Sequence, residues 1–270
     1  MSETTDQAAS GPTILLTDCG DDIARITLNR PHKRNALDPE ARDALIAALQ
    51  ETNGKAKVVV IDGAGKSFCA GMDLGQVTDA PQSAQDDLNR TWLQVQEEIR
   101  RHSGIVIASA HGHALGGGAT LINSSDLAVV ADDVQIGMPE IGFGFYPGLS
   151  GPAAQLRLRP KNAAWMVLTA KRIDGPTAVD WGMANLSVPA DRLHDETLEL
   201  ARHIARFDAV ALEWSKKALW QIPMHITEWR SALEFGLYTN AQIQARTDSH
   251  EKGLRDFAAG KRNPGQGESA

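Results

Sequence analysis

Glycines 116–118 and Glu140 are the residues whose types and spacing point most directly to chemistry. They lie in one segment, Gly104 to Glu140, which reads GIVIASAHGHALGGGATLINSSDLAVVADDVQIGMPE. Ile105 to Ala110 has the length and β-branched content of a buried strand. A tight turn, then Gly116, Gly117 and Gly118, lead into ATLINSS, which reads as a short helix. A strand, glycines and a helix start leave free backbone N–H groups at a helix N-terminus, where negative charge is favoured. A second apolar run, Leu127 to Ala131, leads through the strand-like VQIGM to Glu140. One segment thus offers a place for an oxyanion and a carboxylate able to move a proton.

The elements that must position these residues are legible on both sides. Ile23 to Asn29 alternates, with Ala24, Ile26 and Leu28 on one face and Arg25 and Thr27 on the other, as in a half-buried strand. Asp38-Pro39 makes an N-cap followed by proline at the first helical position. Ala41, Leu45 and Leu49 then repeat at i, i+4 and i+8, which predicts an amphipathic helix over Pro39 to Glu51. Lys57 to Asp62 is a continuous apolar strand that opens into GAGKSFCAGMDLGQV. Leu88, Trp92, Val95 and Ile99 mark one face of the next helix. Strands alternating with helices indicate an α/β class with parallel pairing. After Glu140 the glycine-rich IGFGFYPGLSG gives way to helices: Ala163 to Ala170, a helix lined by Leu193, Leu200 and Ile204, Ala209 to Ile222, Thr227 to Arg246, and a short one near Lys252 to Ala259. One strand-like piece, LSVPA, interrupts them.

Composition excludes several classes. The 270 residues suffice for one large α/β domain with a helical appendage, and 42% hydrophobic residues is ordinary for a globular protein. A net charge of −7 and a pI near 5.6 argue against nucleic-acid binding. Two cysteines, Cys19 and Cys69, build neither a disulfide framework nor a metal site, and a reduced, cytoplasmic setting is expected. His111 and His113 have ligand-like spacing but lack a third ligand, so no metal is expected. No stretch reaches the roughly 18 uninterrupted apolar residues of a membrane span. The polar N-terminus, MSETTDQAASGP, lacks the basic and apolar regions of a signal peptide. It reads as a disordered tail over residues 1–12, with another over 263–270.

Several stretches combine into a resemblance. Arg30-Pro31 through Arg34-Asn35-Ala36-Leu37, then SFCAGMDL, HGHALGGG, MPEIGFG and RIDGPTAVDWGMAN, occur in an order and spacing similar to the enoyl-CoA hydratase/isomerase family, the crotonases. The similarity spans about residues 20 to 260. It implies a spiral core of ββα turns over residues 13–200 and a helical trimerisation region over 201–262. It also implies a homotrimer or hexamer and an acyl-CoA thioester as substrate. Coenzyme A would then be part of the substrate, with no separate cofactor. In this family an enolate is held by two backbone N–H groups; by position these belong to Met72 and Gly117. Donors preorganised in a dry site stabilise such charge strongly, by about 2.7–4 kcal/mol for a single donor.

Family hydratases use two glutamates. Here the later one is Glu140, and the earlier position, twenty residues before it, is Thr120. A threonine is no base at neutral pH, although its hydroxyl can hold a water or a substrate oxygen. The resemblance therefore points first to hydration or lyase chemistry with Glu140 as the one family carboxylate. A lone glutamate also resembles the Δ3,Δ2-enoyl-CoA isomerases. A hydroxyl residue paired with glutamate resembles the hydroxycinnamoyl-CoA hydratase-lyases, whose C-terminal tyrosine corresponds loosely to Tyr238. A non-catalytic binding member of the fold, such as the family's RNA-binding relatives, is the reading of a different class. Further substrate contacts implied by position are Lys33 and Arg34 toward CoA phosphates, and Ala36, Ala70, Asp73 and Leu74 along the CoA path. Phe143 and Tyr146, with Phe145 and Pro147, are expected around the acyl group.

Overall fold

The computed structural model describes residues 11–73 and 82–266, and for residues 82–89 the helix backbone only. The tails expected at 1–12 and 263–270 fall largely outside these residues. Among the described residues, one sheet has six strands in the order β1-β2-β3-β4-β6-β8. β2 (Ile23–Leu28), β3 (Val58–Gly63), β4 (Ile105–Ala110), β6 (Leu127–Ala131) and β8 (Leu186–Val188) run parallel, as the alternation of strands and helices predicts. LSVPA is thus the last strand of the main sheet. The parallel rule fails at one edge, where β1 (Ile14–Asp18) pairs antiparallel with β2. Four of its five residues are exposed, so it carries no apolar alternation by which to be found.

A second, shorter layer explains how the sheet serves the site. What the sequence suggests is a tight turn after Ala110 contains β5 (His113–Leu115), which pairs in parallel with β7 (Gln135–Gly137). Cys69 bridges to Ala114, and Met72 bridges to Leu37. Four of the main strands are therefore each followed by a short piece of second-layer backbone: Leu37 after β2, Cys69–Met72 after β3, β5 after β4, and β7 after β6. A helix follows the first three: α1 (Pro39–Thr52), α2 (Gln82–Arg101) and α3 (Gly117–Ser124). This is a spiral of ββα turns. Asp38 caps α1 by accepting the Ala41 N–H at 2.9 Å.

Downstream lie α4 (Ser150–Arg157), α5 (Pro160–Thr169) and α6 (Gly175–Trp181), then α7 (Leu193–Ala205), which covers β2, β3, β4 and β6. Its buried line is Leu193, Thr197, Ala201 and Ile204, with Leu200 at the margin. α8 (Ala209–His225) and α9 (Trp229–Gln244) form a hairpin, and α10 (Ser249–Ala258) follows. α8 runs three residues beyond the Ile222 end expected from sequence. Pro223 falls in its last turn, where only one ladder bond is lost.

A buried charge fastens α8 to the sheet. Lys216, 3% exposed, donates to the carbonyls of Ile99 (2.9 Å) and Gly104 (3.0 Å) and to Asp126 Oδ2 (2.7 Å). Asp126 also accepts the Trp220 indole N–H and the Val106 N–H. His102 packs beside this cluster. Its Nδ1 accepts the Gly104 N–H at 3.0 Å, so the neutral tautomer with a proton on Nε2 fits, facing Thr52 Oγ1 at 3.2 Å. Burial, then the Lys216 charge, push the imidazole from 6.5 down to about 4. The Gly104 carbonyl, 3.3 Å from Nδ1 and able to accept from the protonated ring, and the Asp126 and Glu98 charges oppose that shift. Between these values the unfolded chain binds a proton that the folded chain does not, so stability rises with pH. Unfolding titrations are expected to show a loss on the order of 3 kcal/mol from pH 7 to pH 4 attributable to this group. His102→Asn is expected to flatten that pH dependence.

Candidate active site

The site is built where the second layer meets the start of α3. Cys69 N donates to His113 O (3.0 Å), and Leu115 N donates back to Cys69 O (2.9 Å). On the other side Leu37 N donates to Gly71 O (2.8 Å), and Ala70 N to Arg34 O (2.9 Å). The segment Cys69–Met72 is thus laced between β5 and Arg34–Leu37. Three residues beyond the Cys69–Ala114 bridge, on either strand, lie Met72 and Gly117.

Glycines allow this approach. A Cβ on Gly118 would stand 2.2 Å from Cys69 O, and one on Gly71 would stand 2.7 Å from Leu115 O and 3.0 Å from Gly117 N. Gly71 also has φ +91°, a region side chains rarely adopt. The N–H groups of Met72 and Gly117 donate to no acceptor among the described residues. Trp92, from α2, closes the floor: a Cβ on Gly117 would lie 2.6 Å from its ring. Sequence periodicity marks Trp92 only as a core residue of its helix.

Glu140 reaches the same place from the other direction. It sits on a 3-10 turn, Pro139–Phe143, just after β7. Its Oε1 is 2.9 Å from where a Gly116 Cβ would be and accepts the Ser150 hydroxyl at 3.0 Å. Its Oε2 is buried and has no partner among the described residues. Ser150 carries no sequence signal, because a serine after a glycine-rich stretch marks an ordinary helix start. Thr120 lies one turn into α3, fully buried, and its hydroxyl donates to Gly116 O at 3.2 Å. That hydroxyl is turned into the helix backbone, as helical threonines often are.

The loop Arg30–Asp38 braces the arrangement. Arg30 donates to Ala36 O and pairs with Asp38 at 2.7 Å and Asp73 at 3.2 Å. It joins the cap of α1 to the residue after Met72. Asn35, buried at φ +56°, accepts the Arg30 N–H and donates to Ala64 O and Ser67 O. Ala36 is buried and Ala70 half-buried beside Met72, whereas the Lys33 and Arg34 side chains are exposed at the rim. Burial and the Arg172 and Arg34 charges hold His113 below the usual histidine range. Burial pushes the Cys69 thiol up to about 12, so it stays protonated.

Phe143 is 60% exposed and Tyr146 54%, both in the loop after Glu140, while Pro147 is buried. The Tyr146 hydroxyl accepts from Gln155 Nε2 at 2.9 Å, and its ring lies over Gly151, the residue after Ser150. Tyr238, on α9, packs edge-on against Trp214 with 6.0 Å between ring centroids. Leu74 lies outside the described residues. No group of three or more His, Cys, Asp or Glu among the described residues could hold a metal. No described helix is long and apolar enough to cross a membrane.

The family model for enoyl-CoA hydratase/isomerase matches residues 18–266. The chain belongs to this family. Among its enoyl-CoA hydratase/isomerase relatives is a 2,3-dehydroadipyl-CoA hydratase of Escherichia coli, 32% identical, the alignment covering 90% of this chain and 94% of the relative. A hydroxycinnamoyl-CoA hydratase-lyase of Pseudomonas fluorescens is 30% identical, over 88% of this chain and 89% of the relative. A solved enoyl-CoA hydratase of Mycobacterium smegmatis superposes with a TM-score of 0.89 at 27% identity, covering 94% of this chain and 98% of that one. The crotonase fold expected from the sequence motifs is therefore the fold of this member of the family.

The backbone contact at Gly71 yields a test. Gly71→Ala forces a methyl group against Leu115 O at a backbone angle that already disfavours it. Chemical denaturation is expected to show a loss of about 1–3 kcal/mol.

Proposed function

We propose that this protein hydrates an enoyl-CoA thioester, with the N–H groups of Met72 and Gly117 as the oxyanion hole and Glu140 as the base. The observation that carries the reading is the Glu140 carboxylate, whose Oε1 lies against Gly116 and whose Oε2 has no partner among the described residues, close in the fold to the Met72 and Gly117 N–H groups, which meet no acceptor there. Water attacks C3 of a 2-enoyl-CoA while Glu140 Oε2 takes its proton. The C2–C3 double-bond electrons move toward the carbonyl, and the two N–H groups meet the charge that develops on its oxygen. The protonated carboxyl then returns the proton to C2, leaving a 3-hydroxyacyl-CoA. One carboxylate can serve both transfers, so Thr120 in the place of a second is no obstacle.

A second reading has its own support: the hydroxyl residue at position 120 and the 30% identity to the hydroxycinnamoyl-CoA hydratase-lyase. In that case hydration of an aromatic enoyl-CoA is followed by cleavage. The base takes the 3-hydroxyl proton, the C2–C3 bond breaks, an aldehyde leaves, and the acetyl-CoA enolate is protonated at C2. On either reading Ala36, Ala70 and Asp73 line the CoA path, with Lys33 and Arg34 at its phosphates. We also infer a homotrimer or hexamer. Support comes from large apolar side chains left exposed on the C-terminal helices, among them Trp229, Leu237 and Phe257.

Incubation with 2-enoyl-, 3-enoyl- and hydroxycinnamoyl-CoA esters, read by mass spectrometry, separates the branches. A mass gain of one water indicates hydration, and release of acetyl-CoA indicates cleavage. Conversion of a 3-enoyl to a 2-enoyl ester without mass change indicates isomerisation. Retained CoA-ester binding with no turnover of any ester would leave only a binding role. Glu140→Gln is expected to lower kcat by about 10²–10⁴-fold, with CoA-ester affinity largely kept. Unchanged turnover in that variant would remove the mechanism.

A further inference from the structure

The Glu140 carboxylate is held from one side only. Among the described residues no charged side chain pairs with it, and its one side-chain partner is Ser150, whose hydroxyl donates to Oε1 at 3.0 Å. Ser150 is 3% exposed and is the first residue of α4. The chain beyond Glu140 gives its side chain little lateral support: residues 141–146 are exposed, and Gly144 turns the backbone at φ +78°. Rotation about the last bond of a glutamate is broad and nearly two-fold, so nothing in the residue itself chooses which oxygen is left free. A single donor at Oε1 breaks that symmetry. The starts of α3 and α4 both lie beside the carboxylate, and both favour negative charge there.

We propose that Ser150 is a positioning residue for the Glu140 base: its hydroxyl holds Oε1, so that Oε2 alone is left to take the proton. The proposal rests on the reading of Glu140 as the base. Removing the hydroxyl leaves a smaller productive population of the carboxylate, which lowers kcat and leaves KM nearly unchanged.

The test uses Ser150→Ala, Ser150→Cys and Glu140→Gln in the full chain, with whichever enoyl-CoA ester the substrate panel finds turned over. For Ser150→Ala the expected result is a kcat about tenfold lower, with KM changed by less than about twofold. Ser150→Cys keeps the size with a weaker donor and is expected to fall between alanine and serine. If the alanine variant does not fold, the cysteine variant carries the test by the same readouts. Wild-type kcat in the folded variants, with Glu140→Gln inactive, would overturn the proposal and leave Glu140 as the base. A kcat in Ser150→Cys no higher than in Ser150→Ala, or a KM that rises in step with the fall in kcat, would assign Ser150 to packing and overturn it equally. Full activity in Glu140→Gln would instead remove the base itself, a failure distinguishable from the other two.

Discussion

The site depends on two backbones approaching so closely that no side chain fits between them. Segment 69–72 and the start of α3 touch through Gly71, Gly117 and Gly118, and a methyl group at any of the three would collide with a neighbour. Because the contact is made by main chain, the two N–H groups there owe their direction to hydrogen-bonded strands. They do not rely on rotatable side chains. Donors fixed in this way are the kind that the proposed reading requires, because preorganised groups need little reorientation to meet a developing charge. The carboxylate is the exception, because it arrives on a side chain and needs something else to orient it.

The second layer of short strands makes the approach possible. The main sheet supplies an apolar, close-packed base, and each turn of the spiral lifts a few residues out of it into a parallel stack running from Leu37 through Cys69–Met72 and β5 to β7. Arg30 ties the outer end of that stack to the cap of α1, and Asn35 pins the connecting loop in left-handed backbone. At the far end Lys216 joins α8 to Asp126 at the foot of β6. A buried ion pair of this type is weak support as a net energy term, because desolvation offsets most of the attraction. Breaking one partner is costly, however, so the pair fixes where the helical hairpin begins.

Much of this was legible beforehand. The continuous apolar runs of β3, β4 and β6 and the alternation of β2 follow from which faces are buried. The cap and repeat of α1 located that helix to within a residue at its C-terminus. Glu140, Met72 and Gly117 were reachable through family motifs, and the structure sets Gly71, the residue before Met72, against Gly117 and the Glu140 carboxylate against Gly116. The edge strand β1 was not legible, because exposure removes periodicity. β5 was not legible either, because three residues flanked by glycines look like a turn.

The amino-acid sequence by itself determined the fold class, the family and the types of group available: glycines where backbones must meet, and one carboxylate where the family's hydratases have two. Only tertiary structure decided how those groups are used. It turned the Thr120 hydroxyl into its own helix, set Trp92 beneath Gly117 and put Ser150 against Glu140. It left Phe143 and Tyr146 half-exposed or more in the loop after Glu140, and packed Tyr238 edge-on against Trp214. The physical reason is range. Burial patterns and caps are short-range properties repeated along the chain, whereas a hydrogen bond between a turn and a helix start ten residues on depends on the path of the intervening loop.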